Sequence, residues 1–194
     1  FDSYRPQDKT ILRQELGLPQ DKKIVACSIK GWKTSNKIID NYANNDKMFF
    51  MSVGFTHIQT PNKNFLAIPY IKEKTLLSKY LAAADIFLHP TQGDSFGIIA
   101  GEALASGTPV VTCNTDALPE VVPHKKVGYV AIPDDVEDLQ RGIEYVLNLP
   151  KEEYERMSIF GREWVSNNFS LEKMCKEYMA LYARVLGEKA NQPA

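Results

Sequence analysis

The sequence predicts an α/β fold, a doubly wound and mostly parallel sheet covered by helices on both faces, with further helices at its C-terminal end. Three observations predict it. Short β-branched or aromatic runs alternate with helical patterns along the chain. The runs are continuously apolar rather than alternating, as expected for strands buried on both faces. Each is bounded by Gly, Pro, Asn or Asp.

The elements follow in order. Residues 9–16 read as a helix stopped by Gly17, with Pro19 just beyond. Residues 23–27 read as the first strand, and residues 35–44 as a helix with Ile38 and Ile39 facing inward. Strands are expected over 48–53 and 65–69. A helix over 74–83 carries Leu76, Leu77, Tyr80 and Leu81 at helical spacing. The strand over 85–89 stops at Pro90, and the helix over 96–106 ends at Gly107, ahead of Pro109. Strands over 109–113 and 128–132 complete the sheet. A helix over 135–148 places Leu139, Ile143, Val146 and Leu147 on one face, and helices over 151–168 and 171–187 close the chain. Residues 1–188 read as one domain and 189–194 as a frayed tail. In such sheets a ligand sits at the carboxyl ends of the strands, near the switch in strand order.

Composition narrows the function. The 194 residues are 44% apolar and 24% charged, which is ordinary for one globular domain. A formal charge of −1, with the basic residues dispersed, argues against a nucleic-acid partner. Cys27, Cys113 and Cys175 are too few and too scattered for a disulfide framework or a zinc site. Cys27 and Cys113 lie in apolar strands and read as buried free thiols, which fits a reducing compartment. No apolar run is long enough to span a bilayer, and no signal peptide is read. The first residue is Phe rather than Met, so the chain is expected to be a processed product or an excised fragment.

The most informative stretch runs from Asp94 to Glu102, Asp-Ser-Phe-Gly-Ile-Ile-Ala-Gly-Glu. Asp94 and Ser95 are N-cap residue types for a helix beginning near Phe96. The amides of Phe96, Gly97 and Ile98 would then point out of that end toward a phosphate or a sugar hydroxyl. Glu102 lies two turns further in, and its side chain tilts back toward the helix start. Gly101, Ala103 and Ala105 would keep the helix slim against the sheet. Carboxylates are strong acceptors for vicinal sugar hydroxyls. Spacing alone admits a second reading, in which Asp94 is only a cap and Glu102 only a solvated helix residue.

These residues resemble a family. Asp85-Ile86-Phe87-Leu88-His89-Pro90, the stretch from Asp94 to Glu102, its continuation through Val111 and Leu118-Pro119-Glu120-Val121-Val122 occur in order. Gly128-Tyr129 and a helix led by Asp134-Asp135 follow. The pattern is similar to the donor-binding, C-terminal half of the retaining GT-B glycosyltransferases, the glycosyl transferases group 1 family, of family 4 type. The resemblance covers residues 4–186 and is most specific from Asp85 to Val122. It implies a Rossmann-like half of a GT-B fold.

The family signature is a Glu, seven residues, then a Glu; here Asp94 fills the first slot and Glu102 the second. By that resemblance Asp94 contacts the donor sugar, and Ser95 with the amides of Phe96, Gly97 and Ile98 serves sugar and diphosphate. Glu102 binds the ribose. Asp is one methylene shorter than Glu, so its reach is the less secure of the two. The family also carries an Arg and a Lys after the first strand to hold the diphosphate. Lys33 matches the lysine slot, Ser28 occupies the arginine slot without a charge, and Lys30 is the candidate replacement. Lysines there would offset charge on the leaving group, so Lys33 joins Asp94 and Glu102 as a candidate catalytic residue. Tyr70 falls where the family places residues beside the base, and a structural aromatic is the equal alternative.

Other positions read more plainly. Asp116-Ala117 replace the Gly-Gly pair that often precedes the later Pro-Glu. Gly54 reads as a turn residue, and His57, His89 and His124 show no metal-ligand spacing. His89 reads as a hydrogen-bonded structural histidine. The opening Phe1-Asp2-Ser3-Tyr4-Arg5-Pro6 resembles the family's interdomain segment, so an N-terminal acceptor domain is expected before it.

The implied activity moves a hexosyl unit from a nucleoside-diphosphate sugar to a glycan or lipid acceptor, as in polysaccharide biosynthesis, without a cofactor or metal. The isolated domain is expected to transfer little. The implied location is the cytoplasm, with any peripheral contact to the inner membrane face made through the absent half. The alternative is a non-catalytic GT-B-like module that binds nucleotide or glycan.

Overall fold

The computed structural model describes residues 3–28, 32–54 and 63–190. Among them, β1 (Lys23–Cys27), β2 (Met48–Val53), β3 (Phe65–Ile68), β4 (Ile86–His89), β5 (Val110–Cys113) and β6 (Gly128–Ala131) form one sheet. The spatial order is β3-β2-β1-β4-β5-β6, and each pairing is parallel. The order reverses between β1 and β4, which places the switch point there.

Period-2 geometry sorts the strand residues between two cores. Ile24 and Ala26 of β1, Met51 and Val53 of β2, and Phe87 of β4 face one layer. Val25 and Cys27, Met48 and Phe50, and Ile86 and Leu88 face the other. Both parities are buried, which is why the runs read as continuously apolar.

The first layer is covered by α1 (Lys9–Glu15), α3 (Lys74–Ala83), α4 (Ile98–Ala105), α5 (Leu118–Val121) and the end of α7 (Lys151–Asn168). The second is covered by α2 (Trp32–Asn41) and α6 (Val136–Leu147). This is the predicted Rossmann-like, doubly wound α/β fold.

The opposite end of the sheet from the strand carboxyl termini is pinned by ions. Asp85, just before β4, receives Arg13 Nη2 at 2.8 Å, Lys9 Nζ at 3.3 Å and the Ile24 amide at 2.8 Å. Tyr154 of α7 donates its hydroxyl to the Asp85 carbonyl at 2.7 Å. One residue, through its carboxylate and its carbonyl, thus ties α1, β1, β4 and α7.

The last helix, α8 (Leu171–Ala190), leaves Leu171, Met174, Tyr178, Met179, Tyr182 and Leu186 exposed. It runs three residues past its expected end and takes in the first two residues of the expected tail; 191–194 lie outside the described residues. No helix among the described residues is long and apolar enough to cross a membrane.

Three helix starts differ from expectation, that of α6 by one residue because Asp135 caps it from outside. The helix expected from residue 35 begins at Trp32, three residues earlier, and buries Ser35 within it. The helix expected from residue 96 begins at Ile98, because Gly97 holds a left-handed conformation with φ 78°. Helix α5 escaped the sequence reading, being four residues long with a proline at its start.

Candidate functional site

A cavity of about 630 Å³ opens at the carboxyl ends of β1, β2 and β4, beside the start of α4. Ser28, Val53, Gly54 and His89 line it from the sheet; Asp94, Ser95, Phe96, Ile98, Ile99 and Glu102 line it from the loop and helix. Most of the signature residues therefore converge at the switch point.

Asp94 is nearly buried, its side chain 10% exposed. Its Oδ1 accepts the Gly97 amide at 2.9 Å and the Phe96 amide at 3.4 Å. Its Oδ2 lies 3.0 Å from His89 Nε2. Its own amide donates to Asp116 Oδ2 at 2.9 Å. The amides of Phe96 and Gly97, expected to face a ligand, are instead turned onto Asp94. The reason is local: a carboxylate three residues ahead of Gly97 closes a side-chain turn before the helix begins. The amides at the start of α4, from Ile98 onward, keep the usual first-turn freedom from intrahelical acceptors.

Gly97 is required by its surroundings. Besides its positive φ, a Cβ there would stand 2.5 Å from Leu118 Cδ2, in the α5 core contact. Gly97→Ala should cost about 1–3 kcal/mol from the left-handed backbone and the overlap, read as a lowered urea midpoint with unchanged slope. By contrast, a Cβ on Gly101 would meet nothing within 4 Å, so Gly101 is not needed for close packing. Ala100, Ala103, Leu104 and Ala105 form the buried side of α4.

Glu102 is half-buried on α4. Burial raises its pKa, and the Tyr4 hydroxyl and the Lys74 charge oppose that without cancelling it. Tyr4 comes from the segment before α1, and burial and the nearby carboxylate push its phenol above the ordinary value. It stays a hydrogen-bond donor to Glu102. Arg162 of α7 fixes this segment by donating to the Tyr4 carbonyl at 2.7 Å and the Ala105 carbonyl at 2.5 Å. Tyr70 is 80% exposed and close enough to Tyr4 to act on it electrostatically.

The basic residues are less convergent. Lys33 is exposed on the first turn of α2, not in a loop, and does not line the cavity. Lys30 and His57 lie outside the described residues. Ser28 lines the cavity but its hydroxyl is bonded to His89 Nδ1. Sequence reasoning did not place Tyr4, Val53 or Ile99 at the site; it read Gly54 as a turn residue and His89 as a hydrogen-bonded structural histidine, and both also line the cavity. Gly54 and His89 each end or follow a strand beside the switch point, and that position was their only available signal.

The family model described as "Glycosyl transferases group 1" matches residues 57–164. N-acetyl-alpha-D-glucosaminyl L-malate synthase of Bacillus anthracis is 25% identical over 202 residues, covering 97% of this chain and 52% of that enzyme. The chain thus spans about half the length of that relative. Sucrose-phosphate synthase from Thermosynechococcus elongatus superposes with a TM-score of 0.80 at 22% identity, over 96% of this chain and 51% of that one. Anabaena Alr3699/HepE, solved with UDP and glucose, superposes with a TM-score of 0.77 at 17% identity, over 94% and 54%. Signature, sheet order and family match agree, and the chain belongs to the glycosyl transferases group 1 family.

Proposed function

We propose that this chain is the donor-binding half of a retaining glycosyltransferase, one that moves a hexosyl unit from a nucleoside-diphosphate sugar to a glycan or lipid acceptor. The observation that carries the reading is the cavity at the switch point, with Asp94 and Glu102 both on its wall. Glu102 is held inside at a cost to its own ionisation, which is common where a carboxylate serves a ligand rather than the fold. Its acceptor oxygens suit a ribose diol. Asp94 and Ser95 face the sugar, the start of α4 at Ile98 serves the diphosphate, Tyr70 flanks the base, and Lys33 and Lys30 supply charge as the nucleotide departs.

The acceptor side belongs to an N-terminal domain joined through the segment at Tyr4. The relative's doubled length and the exposed apolar residues of α8 support such a partner. Alone, the chain should bind nucleotide weakly and transfer little. The cytoplasm is the proposed location.

A second reading, a binding module without catalysis, is favoured by one observation: the arginine slot holds Ser28, whose hydroxyl is engaged with His89. Calorimetric titration with UDP, GDP, ADP and their sugars tests the main reading. Binding is expected for one base, and a folded sample that binds none refutes it. Binding without transfer after a matching N-terminal half is restored favours the module.

The pH dependence has a definite sign. Glu102 has a raised folded pKa, so its contribution to stability is full below the unfolded value and is lost as pH rises through the folded one. Nucleotide binding needs the ionised acceptor and runs the other way, strengthening as pH rises through that same pKa. Calorimetry across the acid range should show affinity lost at a higher pH than an ordinary carboxylate would give, and Glu102→Gln should flatten that dependence.

A further inference from the structure

Asp94 is shorter than the glutamate that more often fills its slot, so its aim depends on what holds it. His89 holds it. This residue ends β4 and has no exposed surface. Its ring stacks on Phe87, centroids 6.1 Å apart, and its carbonyl accepts Thr112 Oγ1 at 2.9 Å. Nε2 lies 3.0 Å from Asp94 Oδ2, and Nδ1 meets the Ser28 hydroxyl at the end of neighbouring β1. An ionised carboxylate only accepts, so Nε2 carries a proton and donates to Asp94, while Nδ1 pairs with the Ser28 hydroxyl. The bonds run Ser28 to His89 to Asp94 across the switch point, and all three residues line the cavity.

We propose that His89 is a positioning residue for the donor sugar. It fixes the Asp94 carboxylate against the sheet and couples it to the residue in the arginine slot. Glu102 lies outside this chain of bonds, so His89 governs the hold on the sugar and not the hold on the nucleotide. The inference rests on the donor-site reading of the same cavity.

The test uses whichever pair the wild-type chain binds: UDP and UDP-glucose, GDP and GDP-mannose, or ADP and ADP-glucose. Two substitutions separate the two bonds. His89→Asn places its amide near the Nδ1 position and keeps Ser28 while releasing Asp94. His89→Gln reaches the Nε2 position and keeps Asp94. His89→Asn should leave the diphosphate Kd within about twofold and weaken the sugar nucleotide about tenfold, the worth of one hydrogen bond to a charged group. His89→Gln should retain most of the preference for the sugar form. Should His89→Asn fail to fold, Ser28→Ala keeps the question open to measurement, and a smaller loss confined to the sugar nucleotide is expected. Equal weakening of both ligands in any of these variants overturns the relay, as does a wild-type chain that gains nothing from the sugar. A wild-type chain that binds no nucleotide overturns the donor-site reading itself.

Discussion

Glu102→Ala is expected to weaken nucleotide binding about 10- to 100-fold, with little loss of stability. A hydrogen bond to a charged group is worth roughly 1.5–3 kcal/mol, and each 1.4 kcal/mol is about tenfold in Kd. The stability half of the expectation comes from the site. Burial raises the pKa of Glu102, and Tyr4 and Lys74 relieve this only in part, so its charge is a cost to the fold. Removing that charge offsets the loss of the Tyr4 bond. Calorimetry and a thermal melt on the same sample check both halves. Unchanged affinity would remove Glu102 from the site, and a collapse of the melt would make it a structural residue.

Asp85→Ala is expected to act in the opposite way, on stability and not on the ligand. Its carboxylate is 13% exposed and holds Arg13 at 2.8 Å and Lys9 at 3.3 Å. Arg13 is itself buried and also donates to the Ala83 carbonyl at 3.0 Å. Removing one partner of a buried ion pair leaves the other charge uncompensated, a loss of about 3–5 kcal/mol. The Ile24 amide at the start of β1 loses its acceptor too. Burial works to raise the pKa of Asp85, but Lys9, Arg13 and that amide overcome it and hold it below the usual carboxylate value. A depressed pKa means this stability is full above the unfolded value and is lost only as pH falls through the folded one. Denaturant titrations of wild type and Asp85→Ala should therefore differ most at neutral pH and converge in strong acid.

The sheet was largely legible. Lys23–Cys27 and Met48–Val53 are strands at both expected boundaries, because continuous apolar runs ended by polar residues have few alternatives. Lys74–Ala83 and Lys151–Asn168 were equally clear as helices. The start of α4 was misjudged because the expected cap bond does form, from the Gly97 amide to Asp94, yet glycine turns the backbone left-handed before the helix begins. The convergence of Ser28, His89 and Asp94 could not be read from one chain. It depends on β1 and β4 lying side by side, and no local pattern encodes strand order. Tyr4 reaches Glu102 from a segment that Arg162 of a distant helix ties to the end of α4, a contact no local pattern encodes.

Asp116 shows how a departure from a family pattern can be informative. It occupies a left-handed conformation, φ 44°, where the family often has glycine, and uses its carboxylate to hold the Asp94 amide at 2.9 Å. That bond ties the loop after β5 to the site loop.

A nucleoside-diphosphate sugar is expected to occupy the switch-point cavity. A second cavity of about 630 Å³ lies at the opposite end of the sheet, lined by Pro6, Lys9, Asp85, Ser106, Gly107 and Tyr154. Amide chemical-shift mapping during titration with a nucleoside-diphosphate sugar separates the two. Saturable shifts at Gly54, Ser95, Phe96, Ile98 and Glu102, with the midpoint moved to about 10- to 100-fold higher ligand in Glu102→Ala, are the predicted result. Shifts confined to the Lys9 and Tyr154 end, or none in a folded sample, would contradict it.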